Sequence, residues 1–202
     1  FNADGSLKAG LRDQTKVFPA GYQFAPGDVL YKDLDNNGEI VKQTNTNDKG
    51  DLSVIGNALP RLQFGLNLDA AWKGFDISMF FQGVAKRKLW AAGNQVLPGF
   101  TTGEPFYKGA EDYWTPENTD AFYPRPMDYK QSASGNYSVN DRYLLNMAYL
   151  RLKTFTVGYS LPKVWLSKFK VQGLRVYFTG ENLFTIDGVK PAIDPEIGIR
   201  TA

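Results

Sequence analysis

The sequence predicts an all-β fold of antiparallel strands, joined alternately by short and by very long connections. Three observations predict it. Apolar and polar residues alternate with period two through two pairs of segments, each about the length of a barrel or sandwich strand. The 202 residues are 14% aromatic and include 20 Gly and 11 Pro, a composition rich in strand and turn formers. No apolar run approaches the roughly 18 residues of a membrane helix, which excludes a spanning helix.

The clearest alternation runs from Leu62 to Trp72. Leu62, Phe64, Leu66, Leu68, Ala70 and Trp72 take one face, and Gln63, Gly65, Asn67, Asp69 and Ala71 take the other. Lys73-Gly74 follows as a short turn, and Phe75, Ile77, Met79 and Phe81 then alternate with Asp76, Ser78, Phe80 and Gln82, which makes 61–84 a β-hairpin. A second strand pair occupies 148–185. In "YLRLKTFTVGY" the apolar set moves from Leu150 and Leu152 to Phe155, Val157 and Tyr159, the mark of a bulge or a change of environment, whereas "GLRVYFTGENLFT" keeps a clean phase. Between these strands, "LPKVWLSKFK" has room for one short helical turn after Pro162. Residues 1–60 and 85–147 are irregular. The second of these is far longer than an ordinary loop, which points to function.

Composition removes whole classes of chemistry. With no Cys and no His, the chain lacks thiolate and imidazole ligands, histidine-based triads and disulfides, so any metal has to be held by oxygen. Its 23 basic and 21 acidic side chains leave a net charge of +2, which gives no electrostatic reason to expect nucleic acid as a partner. Paired carboxylates at a glycosidase separation are not fixed by any motif, so the chain reads as a non-enzyme.

Strands of this kind fit two architectures: a half-buried sandwich, or an outer-membrane barrel whose polar face lines the lumen. The alternation of short and long connections favours the barrel, as does the clustering of Trp72, Phe75 and Trp165 at the short-connection ends, where an aromatic girdle belongs. As sandwich residues, the same aromatics would be core. The pattern alone leaves both readings open.

The stretch "YKDLDNNGEI" raises the question of metal. Asp33, Asp35 and Asn37 fall at the first, third and fifth places of a calcium loop, Gly38 at the sharp turn, and Glu39 where a backbone carbonyl is the ligand. The twelfth place, which carries a bidentate Glu in an EF-hand, is Thr44 here. The competing reading is an Asx-turn loop in which these side chains cap backbone N–H groups. Trp90, Phe106, Tyr107, Tyr113 and Trp114 in the long segment are candidates for ligand stacking, or for holding the segment together and forming an interface.

Five ordered blocks carry a resemblance: "PGDVLYKDLDNNGEI", "VIGNALPRLQFGLNLDAAWKGFDISMFFQGV", "YWTPENTDAFYPRP", "AYLRLKTFTVGYSLPK" and "LRVYFTGENLFTI". From about Pro26 onward the chain resembles the C-terminal part of SusC/RagA-type TonB-dependent outer-membrane transporters of the Bacteroidetes. The resemblance implies a segment of a transmembrane barrel of about 22 strands with an N-terminal plug. No plug or TonB-box region is seen here, and against the family's usual ending the resemblance implies that "IDPEIGIRTA" falls one strand short. The resemblance also supplies a closing ligand for the acidic loop. The family's "D.NGDG" block is followed by an acidic residue before "VIG", and Asp51 holds that place, with Asp48 second.

The function implied is TonB-dependent import of an oligosaccharide or peptide through the outer membrane. Residues 1–60 and 85–147 would be extracellular, a SusD-like surface lipoprotein would be the partner, and TonB would act through the plug. The sheet's apolar face would meet outer-membrane lipid, and calcium, where bound, would be structural. Asn67, Asp69, Asp76, Gln82, Arg175 and Glu181 would face the lumen. The rival class is a soluble, calcium-stabilised β-sandwich module that binds carbohydrate.

Overall fold

The computed structural model describes residues 2, 6, 8–42, 45, 47–100, 103, 105–128, 135–190 and 193–196. It separates into two compact units, residues 1–56 with 90–144 and 198–202, and residues 57–89 with 145–197. The chain leaves the second unit after Leu89 and re-enters it at Leu145.

The second unit is a sheet. Its strands are β1 (Leu62–Trp72), β2 (Phe75–Ala85), β3 (Lys88–Leu89), β4 (Leu145–Asn146), β5 (Tyr149–Ser160) and β6 (Arg175–Asp187). β1, β2, β5 and β6 form one antiparallel sheet in that order, and β3 and β4 pair as a separate two-residue ladder. Lys73 and Gly74 both take positive φ, 48° and 89°, the geometry of a type I′ turn, whose twist matches that of the strands it joins. β5 and β6 are joined through α1 (Lys163–Leu166) and a 3-10 turn (Ser167–Phe169), which ends where Lys170 turns left-handed at φ 55°.

Register sorts the side chains onto two faces. On one face Leu68, Met79, Phe155 and Gly180 form a continuous row across the four strands, as do Ala70, Ile77, Val157 and Phe178, and Leu66, Phe81, Leu152 and Phe184. Phe64 pairs with Gly83, and its ring lies 2.3 Å from where a Gly83 Cβ would sit, so only glycine admits that ring. On the other face Asn67 opposes Phe80, Asp69 opposes Ser78, and Gln82 opposes Arg151.

The apolar face is open along the outer strands, although Leu152 on β5 is buried, and the polar side of β1 is exposed as well. Leu66 and Phe178 are 49% and 61% exposed, and all eleven residues of β1 are exposed. Among the described residues the remaining ladder, β3 with β4, is too small to cover this face as the second sheet of a sandwich would.

A bulge interrupts β5 where its apolar phase shifts, between Leu152 and Thr154. β6 departs from the clean phase its sequence predicts. It skips two residues opposite the bulge, with Asn182 left-handed at φ 51°, and the displaced Leu183 folds over Gly180. An alternation in one strand cannot reveal a kink imposed by its neighbour.

The first unit has no sheet among its described residues, yet it has a core. Val17, Phe18 and Ile40 are buried, with Tyr22, Phe24 and Tyr31 packed against them. A second aromatic cluster joins Phe122, Tyr123, Tyr137 and Tyr143. Residues from the first irregular segment bond to the second: the Val29 N–H donates to Asn136 Oδ1 (2.8 Å), and the Tyr31 hydroxyl to the Gly135 carbonyl (2.7 Å). The two segments that read as separate loops thus fold into one body.

Candidate functional site

The acidic loop brings three of its predicted ligands together. Asp33, Asp35 and Asp51 each offer a carboxylate oxygen, and these atoms lie within 4.8 Å of one another. Asp51 arrives because Gly50, at φ 54°, turns the chain so that the Asp51 N–H reaches the Val41 carbonyl (2.9 Å). Its carboxylate then accepts from the Leu34 N–H (2.6 Å) and the Val41 N–H (2.8 Å). Asp33 accepts from the Asn36 and Gly38 N–H groups at 2.7 and 3.0 Å, and Asp35 accepts from the Asn37 N–H at 3.0 Å. The bonds to Asp33 and Asp35 are local, turn-type side-chain-to-backbone bonds, whereas those to Asp51 join segments 10 and 17 residues apart.

The other two predicted ligands face differently. The Asn37 amide oxygen accepts from the Glu39 N–H (2.8 Å), while its nitrogen donates to Asp35 Oδ2 (3.0 Å). The Glu39 carboxylate pairs with Lys16. Thr44 lies outside the described residues. Asp48 caps the Gly50 N–H (2.9 Å), not the cluster. Arg12 Nε stands at 3.4 Å from Asp33 Oδ2. A carboxylate oxygen that accepts one N–H keeps a second lone pair, so three carboxylates of this kind fit a hard, oxygen-seeking cation such as calcium.

A contrasting acidic pair sits on the polar face of the sheet. Beyond β6, Asp194 and Glu196 meet β5: Arg151 bonds Asp194 at 2.7 Å and Glu196 at 2.8 Å, and Lys153 bonds Glu196 at 3.0 Å. The Arg151 guanidinium, followed by the Glu196 N–H, holds the Asp194 carboxyl below its ordinary range. Sequence reasoning passed over this strap, although "LRLK" and "DPE" carry the matching charges. At the other end of the same face, Arg175 on β6 crosses β5 to pair with Asp76 on β2. It can cross because Gly158 leaves no side chain in its path; a Cβ there would lie 2.5 Å from the guanidinium. Asn67, Asp69, Gln82 and Glu181 share this polar face by register.

In the first unit, the Asp28 side chain is fully buried and paired with Arg125 at 2.8 Å; it also accepts from the buried Asn136 amide at 3.0 Å. Burial pushes the Tyr31 hydroxyl up to about 12, and pushes Tyr137 and Tyr143 higher still. Trp114, a predicted stacking residue, packs against Gly27 and is half-buried, whereas Phe106, Tyr107 and Tyr113 are exposed.

No family model matches the chain. It is 33% identical over 181 residues to TonB-dependent receptor P3 of Formosa agariphila, an alignment covering 87% of this chain and 16% of the relative. It is 33% identical over 192 residues to TonB-dependent receptor P26 of the same organism, covering 93% and 17%. With TonB-dependent receptor SusC of Bacteroides thetaiotaomicron it shares 24% identity over 203 residues, covering 96% and 19%. Among solved structures, the RagAB peptide importer in its open-open state matches with a TM-score of 0.57 at 22% identity, over 84% of this chain and 18% of that one. A second RagAB peptide transporter structure matches with a TM-score of 0.53 at 25% identity, over 72% and 15%. The chain therefore spans less than a fifth of the length of the curated relatives it matches. With a four-stranded antiparallel sheet that gathers its apolar side chains on one face, the chain belongs to the SusC/RagA-type TonB-dependent receptors of the bacterial outer membrane and forms part of their barrel.

Proposed function

We propose that this chain supplies wall and extracellular loops, from the C-terminal part of the barrel, to an energised outer-membrane importer. The importer takes up an oligosaccharide or peptide together with a SusD-like surface lipoprotein, and it draws its energy from TonB through a plug carried elsewhere in the protein. It moves its substrate without covalent chemistry. The observation that carries this reading is the register of apolar side chains across four strands on an exposed face, opposite a charged and hydrogen-bonded one. In water such a face would be a liability; against lipid it is the contact surface, and the polar face lines the path. The test is uptake by cells carrying the intact transporter, with and without TonB. Accumulation that stops when TonB is deleted supports the reading, and accumulation that continues unchanged overturns it.

The acidic loop is assigned calcium in the same reading. Asp33, Asp35 and Asp51 supply carboxylate oxygens, the Glu39 backbone carbonyl adds a further ligand, and Asn37 joins by rotating its amide oxygen away from the Glu39 N–H. The ion braces an extracellular loop and takes no part in chemistry. Terbium luminescence of the intact transporter, competed by calcium, checks it: saturable binding lost in Asp51→Asn supports the site, and binding unchanged in that variant removes it.

A further inference from the structure

The first unit contains a cavity lined largely by apolar side chains. It measures about 650 Å³, well within the range of small-ligand sites. Five aromatic rings line it: Phe106, Tyr107 and Tyr113 at the exposed side, Tyr123 and Tyr137 at the buried side. Pro98, Pro124, Pro126 and Met127 add further apolar wall. This wall is held in place from behind. The Tyr123 hydroxyl donates to the Val96 carbonyl (3.0 Å), and the Met127 sulfur accepts from the Tyr22 hydroxyl (3.0 Å) and the Asn136 amide (3.3 Å).

Tyr137 is the exception. Its ring is packed edge-on against Tyr143 and the residue is only 3% exposed, yet its hydroxyl has no hydrogen-bond partner among the described residues. No fully buried side-chain polar atom among those residues lacks a partner, so this hydroxyl must reach open space, and the space Tyr137 lines is the cavity. A buried phenol turned into an apolar pocket is a polar group waiting for a complement.

We infer that this cavity binds a short peptide through an aromatic or other large apolar side chain, with the Tyr137 hydroxyl donating to a peptide carbonyl. A sugar ring fits less well. It carries several hydroxyls that each need a partner, and the deep wall presents rings, prolines and a single free phenol. One peptide residue brings an apolar side chain and a carbonyl, which is what the wall can satisfy. Lys108 and Glu111, of opposite charge, also line the cavity and are exposed, which suits a zwitterionic chain better than a neutral glycan. The inference rests on the import reading only in treating the bound peptide as cargo; the site stands on its own geometry.

Titration calorimetry on the intact transporter with Gly-Phe-Gly, Gly-Gly-Gly and maltotriose tests it. Gly-Phe-Gly should bind saturably and Gly-Gly-Gly about tenfold or more weakly, the difference made by burying one large side chain. Maltotriose should neither bind at this site nor displace the peptide. Tyr137→Phe should weaken Gly-Phe-Gly about fivefold, the loss of one hydrogen bond, while leaving thermal stability unchanged because the hydroxyl has no internal partner to lose. Ala110→Trp, which fills the cavity, should abolish binding. Absence of Gly-Phe-Gly binding at millimolar concentration, binding indifferent to Tyr137→Phe, or displacement by maltotriose would each overturn the inference. Uptake with and without TonB is read separately, so a failed pocket with TonB-dependent uptake leaves the import reading standing, and the converse leaves the pocket.

Discussion

The two units treat their apolar side chains in opposite ways. In the loop unit Phe18, Tyr123, Tyr137 and Tyr143 are buried, and polar residues such as Gln14 and Asn136 are buried with them to tie the backbone. In the sheet unit Leu62, Phe64, Leu66 and Leu68 stand exposed on one strand, and Val176 and Phe178 on another, while the internal ion pairs lie on the opposite face. The difference teaches how each unit meets the needs of its backbone. A body with no sheet among its described residues has to hide its rings and satisfy its irregular backbone with side chains; a sheet satisfies its backbone strand to strand and can leave its apolar side chains facing outward.

The contrast is sharpest where a charge is left without its partner. In the loop unit, Arg125→Met would leave Asp28 fully buried and without its counter-ion, at a cost of about 3–5 kcal/mol. Faster proteolysis within residues 1–56 and 90–144 of the intact transporter, with strands 62–85 and 149–187 still protected, is the expected outcome. Equal loss of protection in both units would mean that they are not energetically separate.

On the sheet, the corresponding test places a charge on the apolar face. Met79→Arg lies in the row of Leu68 and Phe155 and should cost about 2–4 kcal/mol in lipid if that row sits near the bilayer midplane. Ser78→Arg, one residue away on the polar face, should change stability by no more than about 0.5 kcal/mol. Denaturant unfolding of the intact transporter from vesicles distinguishes them, and similar costs for both would deny that the faces meet different media.

A smaller effect separates the units by pH. Tyr31 ionises at about 12 when folded against an ordinary value of 10, because burial disfavours the phenolate. Its contribution is therefore whole below pH 10 and lost as pH rises through 12, up to about 2 kcal/mol. Hydrogen exchange should show the loop unit opening across that window, and Tyr31→Phe should blunt the change.

How much of this was legible in the sequence follows from where the constraints lie. The strand Leu62–Trp72 announces itself because its large apolar residues all fall on one face, so every second residue carries the message. Lys73-Gly74 does the same for the turn. The loop unit was not legible: its two segments are tied together by pairs about a hundred positions apart, such as Tyr31 with Gly135 and Asp28 with Arg125, and no local period encodes such pairs. The acidic loop stood between. Spacing placed Asp33 and Asp35 together, and the family resemblance, not the spacing, supplied Asp51, which the structure brings within the same 4.8 Å. The strap from Asp194 to Arg151 escaped notice because neither partner looks unusual until the chain beyond β6 is seen to meet β5.

That strap gives the finest test, because it compares two acidic groups held by different means. Asp194 and Glu196 are neutralised by Arg151 and Lys153, whereas Asp33, Asp35 and Asp51 are held mainly by backbone N–H groups, with Arg12 beside Asp33 alone. Asp194 is held below its ordinary range when folded, so its contribution is present above the unfolded carboxylate value, near 3.9, and is lost as pH falls through the lower folded value. Exchange at residues 193–196 should therefore stay slow down to about pH 4 and rise below it, with calcium making no difference. Exchange at residues 33–41 should respond to calcium near neutral pH. If chelation loosened both segments equally, the distinction between a charge-paired strap and an ion-braced loop would fall, and the carboxylates of the loop would need no cation to explain their convergence.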